Sequence, residues 1–447
     1  MTPDEAYACP VEASREFFAE LAPDLVRCPY DFYRELRQRP PAWVDEIEAY
    51  VVSRFTDIHA VLQNAETFSS SMVQGPVPLR TRFEVLGAIA AEDPGLAARL
   101  LGNVLRRPLL LSTDGEEHRR RRSLVNKAFA TRRITLMEPQ IKSIAIRLID
   151  AFIERREVEF LSEFAGPLPL HVIAGVIGVP DRDLDDLKRW SDDLFAPQGV
   201  NRPTKAMMAA LARSSHEFIE YFNDRIEERR QAPTDDILSD LVRAEEGGHR
   251  LSRTETLVIC SELLAAGNET TTGLIAQAAL TLAQRPDLMR LMQDEPERIP
   301  ALIEETLRLE APIQGFYRTA TADAVVGGVT IPAGAHLFLI YASGNRDEHH
   351  FGNPDDLDLS RQARRKHLAF GRGAHVCLGS LLARTEARIA VEVLLSRVDN
   401  IQLSEATESL SFMPSHVVRR LISLPLRFDP RAPGEVPLRA VPKPRGH

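Results

Sequence analysis

Four short stretches hold the residue types and spacings that could do chemistry. The first runs Phe370-Gly371-Arg372-Gly373-Ala374-His375-Val376-Cys377-Leu378-Gly379. Two glycines ahead of a lone cysteine permit a tight loop, and Leu381, Leu382, Ala383 and Ile389 predict a helix over Leu378 to Ala390. Cys377 would sit at that helix N-terminus, where the dipole and free N–H groups favour thiolate, a nucleophile or metal ligand. A buried, inert cysteine is the alternative. Gly371-Arg372-Gly373 is not a dinucleotide loop, because Val376 occupies the third glycine position.

The second stretch, Ala266-Gly267-Asn268-Glu269-Thr270-Thr271-Thr272-Gly273, sits inside a strongly helical pattern that it contradicts. Two glycines, an asparagine and three β-branched residues cost roughly 4 kcal/mol of helix propensity against alanine. Such local conflicts concentrate at functional sites. The Thr270 hydroxyl could bond the Ala266 carbonyl or a small ligand, and Glu269 could supply protons. A glycine-softened core helix with a surface glutamate is the competing reading. The third stretch is Glu305-Thr306-Leu307-Arg308, whose ends share one helix face. The fourth is His118 with Arg122, one turn apart inside Arg119-Arg120-Arg121-Arg122, which taken alone reads as a solvated basic face.

The elements that must position these residues are mostly helices. Ser252-Arg253-Thr254-Glu255 fits a capping box, and apolar or small residues recur from Leu257 to Leu282 until Pro286. That predicts a helix of roughly 30 residues, about 45 Å long. Strands are expected late: a hairpin over Ala324 to Gly334 turning at Gly327-Gly328, a strand over His336 to Tyr341, and an extended segment from Val417 to Phe428. Residues 69–113 read as a long irregular connection. The fold class is mainly α with a small β region, as one domain over residues 1–430 with a flexible Pro-rich tail over 431–447.

The chain has 447 residues, 44% of them hydrophobic, and a net charge of −9, an ordinary globular composition that argues against a general nucleic-acid binder. Its four cysteines, Cys9, Cys28, Cys260 and Cys377, form no Cys-x-x-Cys and suggest neither a zinc ribbon nor a disulfide framework. No signal peptide, membrane anchor or long uncharged apolar run is readable, so a cytoplasmic location is expected.

Taken together, the four stretches resemble the cytochrome P-450 haem-thiolate family. Phe370 to Gly379 matches its Phe-Gly-x-Gly-x-His-x-Cys-x-Gly loop. Ala266 to Thr271 matches its Ala/Gly-Gly-x-Asp/Glu-Thr-Thr helix, Glu305 to Arg308 its Glu-x-x-Arg, and His118 with Arg122 its His-x-x-x-Arg. Phe316 to Ala320, Asn345-Arg346-Asp347, Asp358 to Arg361 and Leu382 to Glu386 agree as well, so the likeness spans about residues 20 to 430 and is similar to the soluble bacterial branch.

The resemblance implies a long central helix over a haem b held by the cysteine loop. Cys377 would be the axial thiolate on iron, with His118, Arg122, Arg318 and His375 pairing with the haem propionates. Glu269 and Thr270 would deliver protons on the opposite face, and Glu305 and Arg308, with Arg361, would form a buried network. The pocket would draw on Ala265, Ala266, Ile313, Phe316, Val417 and Val418. Glu262 would contact a polar substrate group or form a salt bridge to a neighbouring helix.

The implied activity is insertion of one oxygen atom from dioxygen into a hydrophobic small molecule. Electrons would come from an acidic ferredoxin or flavodoxin with its reductase, docking on basic residues that include Arg119, Arg120, Arg121, Arg361, Arg364, Arg365, Lys366 and Arg372. Peroxide-driven or non-oxygenating haem chemistry is the alternative on the same fold. A cysteine hydrolase, a different class, would need a histidine base at Cys377. Two departures stand out. Asp114-Gly115-Glu116 replaces the family's Asp-Pro-Pro, and Arg420 stands where glycine is usual.

Overall fold

The computed structural model describes residues 14–76, 109–196, 203–246, 248–361 and 366–431, with scattered positions from 84 to 98. Cys9, Arg364, Arg365, much of the 69–113 connection and the proline-rich tail beyond Arg431 lie outside the described residues.

The organising element is the helix Arg253–Gln284. Its capping box forms in full: the Glu255 N–H donates to Ser252 Oγ at 3.1 Å, and the Ser252 N–H donates to Glu255 Oε2 at 2.7 Å. At 32 residues it spans about 48 Å and runs unbroken through Ala266 to Gly273. Tertiary packing overrides the propensity cost. Nearly every residue from Asn268 to Ala283 is buried, so the helix is enclosed on all sides rather than amphipathic. The helices Pro167–Ile177, Leu184–Phe195, Lys205–Gln231, Ile299–Leu309 and Ser380–Arg397 pack around it. With Thr131–Asp150 behind them, they build the main core.

The small β region lies to one side. A five-stranded sheet has the order Ala42–Val44, Ala49–Val52, His336–Ile340, Gly315–Ala320 and Phe68–Ser69. The 49–52 and 336–340 strands are parallel, and the other pairs are antiparallel. Ala324–Val326 and Val329–Ile331 form the expected hairpin. Gly327 and Gly328 hold φ of +54° and +84° at its turn, a region open to glycine at little cost.

The segment expected to be extended from Val417 to Phe428 is strand only at its end, Pro425–Pro430. Upstream, Ser415 Oγ accepts from the Val417 and Val418 N–H groups at 3.1 and 3.0 Å, which draws the backbone out of a ladder. Two isolated bridges remain there, Val418 to Ile313 and Leu421 to Phe412.

Candidate active site

A cavity of about 340 Å³ lies between the central helix and the cysteine loop. Its floor is set by local backbone chemistry. The Cys377 N–H donates to Phe370 O at 2.9 Å, closing the loop around a short turn at Gly373–His375. Gly373 has φ of +69°, and a Cβ there would lie 2.1 Å from the Leu62 carbonyl, so the position takes only glycine. Cys377 borders the cavity.

The helix after Cys377 begins at Ser380, two residues later than the sequence pattern suggests. The expected thiolate-favouring environment is only half present. Burial pushes the Cys377 thiol up, and it outweighs the N–H groups of Gly379 and Ser380 and the charges of Arg122 and Arg384, which act the other way.

Behind the floor, Glu305 and Arg308 are fully buried and paired by two hydrogen bonds, of 2.9 and 2.8 Å. Arg361 joins Glu305 at 3.3 Å, the Asp358 N–H donates to Glu305 at 3.0 Å, and Arg308 also donates to the Asn345 and Asp356 carbonyls. Every lone pair and donor of this pair has work, which is what makes a buried ion pair tolerable. Next to it, Glu304 bonds Arg384 and His367. Burial opposes the Glu304 carboxylate, but these two donors overcome it and hold its pKa at about 2.

The cationic residues gather as the sequence implies. His118, Arg122, Arg318 and His375 all line the cavity. The His118 and His375 rings meet tilted at 31° with centroids 4.1 Å apart, and Arg122 donates to the Val376 carbonyl at 2.6 Å. Burial, with the charges of His375 and Arg122, holds His118 down at about 4. The anion facing His375 is Asp114, at 3.3 Å. Asp114 also accepts from the Ser69 hydroxyl and the Ser70 N–H, so the carboxylate ahead of the 115–128 helix ties three segments together.

On the opposite wall, Ala265, Ala266, Ile313, Phe316, Val417 and Val418 all face the cavity, as does Thr270. The Thr270 hydroxyl donates to Ala266 O at 2.5 Å. Glu269 does not line the cavity. It is buried and ion-paired with Arg420, and its Oε1 accepts from Asn268 Nδ2, which also donates to Ser191. Arg420, noted in the sequence only as a departure from glycine, is thus the partner of an expected catalytic acid.

Sequence reasoning missed a second acid. Glu386 borders the cavity at 3% exposure, its Oε2 without a hydrogen-bond partner among the described residues, and burial pushes its carboxyl well up. Its place about two turns beyond the loop, on an apolar helix face, was the available signal.

Residues 99–420 match the family model for cytochrome P450. The chain belongs to the cytochrome P450 family. Cytochrome P450 107B1 of Saccharopolyspora erythraea is 34% identical over 402 residues, 88% of this chain and 94% of that one. The structure of CYP109Q5 from Chondromyces apiculatus superposes with a TM-score of 0.80 at 35% identity, covering 93% of this chain and 98% of that one. P450BioI, solved with a hexadec-9Z-enoic acid ligated acyl carrier protein, gives 0.80 at 30% identity over 91% and 99%.

This P450 is therefore a monooxygenase-type oxidoreductase whose cofactor is haem b, and its residues fit that group. Arg318 is 4% exposed, yet no carboxylate lies within ion-pair distance of it among the described residues. Among the described residues Arg122, half-buried, likewise bonds Asn126 and the Val376 carbonyl but no carboxylate. Two guanidinium groups at one cavity, neither facing a carboxylate among the described residues, suit a dianionic ligand. Among the described residues there is no cluster of three or more His, Cys, Asp or Glu that could hold a bare metal ion. No helix of the described residues is long and apolar enough to cross a membrane.

Proposed function

We propose that this P450 inserts one oxygen atom from dioxygen into a hydrophobic small molecule, in the cytoplasm, with electrons from separate redox proteins. The observation that carries the reading is a single largely apolar cavity with Cys377 at one end and Thr270 on the central helix across from it. Neighbouring P450s solved with a fatty acyl carrier protein and, for CYP109E1 from Bacillus megaterium (TM-score 0.76, 30% identical), with testosterone support an apolar ligand.

Haem b, when bound, supplies the iron at which dioxygen is activated. Cys377 would hold the iron through its sulfur, with the Gly379 and Ser380 N–H groups tempering the sulfur charge. Arg318, Arg122 and His118, with His375 behind them, would hold the propionates. Thr270 would present its hydroxyl proton to the cavity by turning away from Ala266 O. Glu269 would feed that proton only after its carboxylate separates from Arg420.

Arg420 standing in the way favours one second reading, a peroxide-driven enzyme with less need of proton delivery. The hydrolase reading has no support in the geometry, since His375 bonds Asp114 and, among the described residues, no imidazole bonds Cys377.

The electron donor would be an acidic ferredoxin or flavodoxin with its reductase, steered by charge. Among the described residues the surface for it is narrower than the sequence suggested. Arg120 and Arg121 pair with Glu117 and Glu255, and Arg361 belongs to the Glu305 network. Arg119 and Lys366 remain exposed.

The test is mass analysis of product formed under ¹⁸O₂ with a reconstituted ferredoxin system, beside a parallel reaction with H₂O₂. Label from dioxygen supports the reading. Turnover with peroxide alone replaces it.

A further inference from the structure

One polar group in the cavity serves none of these roles. Glu262 lies on the cavity face of the central helix, in the same stripe as Ile259, Ala266 and Thr270. The salt bridge weighed for it from sequence does not form among the described residues. Its Oε2 accepts from the Leu110 N–H and its Oε1 from the Leu111 N–H, both at 3.0 Å. These donors open the short turn Leu110–Ser112 that leads into the 115–128 helix, so the carboxylate anchors that wall of the cavity.

Two N–H groups leave a carboxylate unsaturated, because it offers about four acceptor sites. No Lys, Arg or His lies within ion-pair distance of Glu262 among the described residues. Arg121 is near enough to act on it through charge but is committed to Glu117 and Glu255. The groups around it in the lining, Leu109, Leu110, Leu111 and Leu263, are apolar. Among the described residues an acid so placed lacks a paired cation, and its free acceptor sites are open to one entering by the cavity. Burial pushes its carboxyl up to about 7, which the two backbone N–H groups and Arg121 reduce only in part.

Resting on the monooxygenase reading above, we propose that Glu262 makes this cavity selective for substrates bearing a protonated amine, held by an ion pair at the end of the cavity away from Cys377. Eight residues separate Glu262 from Thr270, about 12 Å along the helix axis. The amine is therefore a handle and not the site of oxidation. The carbon presented for oxygenation lies several bonds from nitrogen.

The test uses the holoenzyme and two probes of one shape, N,N-dimethyl-3-phenylpropylamine and its carbon isostere (4-methylpentyl)benzene. Dissociation constants come from the Soret difference spectrum and from calorimetry. The wild type should prefer the amine by at least about tenfold, the lower range for a hydrogen bond to a charged group. Glu262→Gln should abolish that preference while binding the isostere within about threefold of wild type.

Equal affinities in the wild type would overturn the proposal whether or not the variant folds. So would a preference that survives in Glu262→Gln, or an equal weakening of both probes, which would leave Glu262 only an anchor for the 110–112 turn. A red Soret shift with the amine, or N-demethylation as the main product, would put nitrogen at the haem and overturn it too. Tight amine binding without any oxygenated product would instead sink the monooxygenase reading and leave the amine site standing.

Discussion

The two walls of the cavity are built on different principles. Behind Cys377, the Glu304 and Glu305 carboxylates are each paired several times over. Glu305 alone receives Arg308, Arg361 and the Asp358 N–H, and Gly373 is pinned against the Leu62 carbonyl. On the central-helix side, each polar group has one or two partners: Thr270 with its own helix, Glu269 with Arg420 and Asn268, Glu262 with two backbone N–H groups. An over-determined network holds one geometry, whereas a group with a single partner can exchange it at low cost. The first suits holding a cofactor, and the second suits moving a proton and meeting a substrate.

The comparison breaks most visibly at Cys377. Cys377→Ser should abolish the red-shifted Soret band of the ferrous–CO form altogether, and a retained band with turnover would remove the floor from the argument. Arg308→Met comes next. Removing one partner of a buried pair leaves the other charge uncompensated and costs about 3–5 kcal/mol. Denaturant midpoint and haem content should both fall, and a midpoint near wild type would mean that the network is not what holds this wall.

Thr270→Ala tests the other wall and should leave stability unchanged. Product formed per NAD(P)H consumed should drop by roughly 10²-fold, the low end for a positioned proton donor, with peroxide released instead. Unchanged coupling would mean that Thr270 does not carry the proton. A smaller effect separates the walls by pH. Glu304 has its folded pKa depressed to about 2, so its contribution is complete above its unfolded value and is lost as pH falls from about 4.5 through 2. Among the carboxylates that titrate in that window, Glu304 should account for about 2 kcal/mol of the loss, the scale of a hydrogen bond to a charged group, and Glu304→Gln should lose correspondingly less. Parallel acid-unfolding curves for the two proteins would contradict the pairing with Arg384 and His367.

What could be read along the chain was whatever depends on neighbours in sequence. The capping box at Ser252 and Glu255, the Gly327-Gly328 turn, the Glu305–Arg308 spacing and the glycine loop before Cys377 each involve groups a few residues apart. Side-chain type and backbone preference are enough to specify them. The residues lining the cavity followed from the family resemblance, which carries information on distant contacts that no local pattern holds.

Tertiary structure alone decided the partners of the isolated acids and bases. Glu269 meets Arg420 from 151 residues away, and Glu262 meets Leu110 from 152. Arg120 spends its charge on Glu255 instead of an external partner, and Asp114 intercepts His375. In each case the outcome depends on distance and desolvation between segments remote in sequence. Those quantities exist only once the chain has packed.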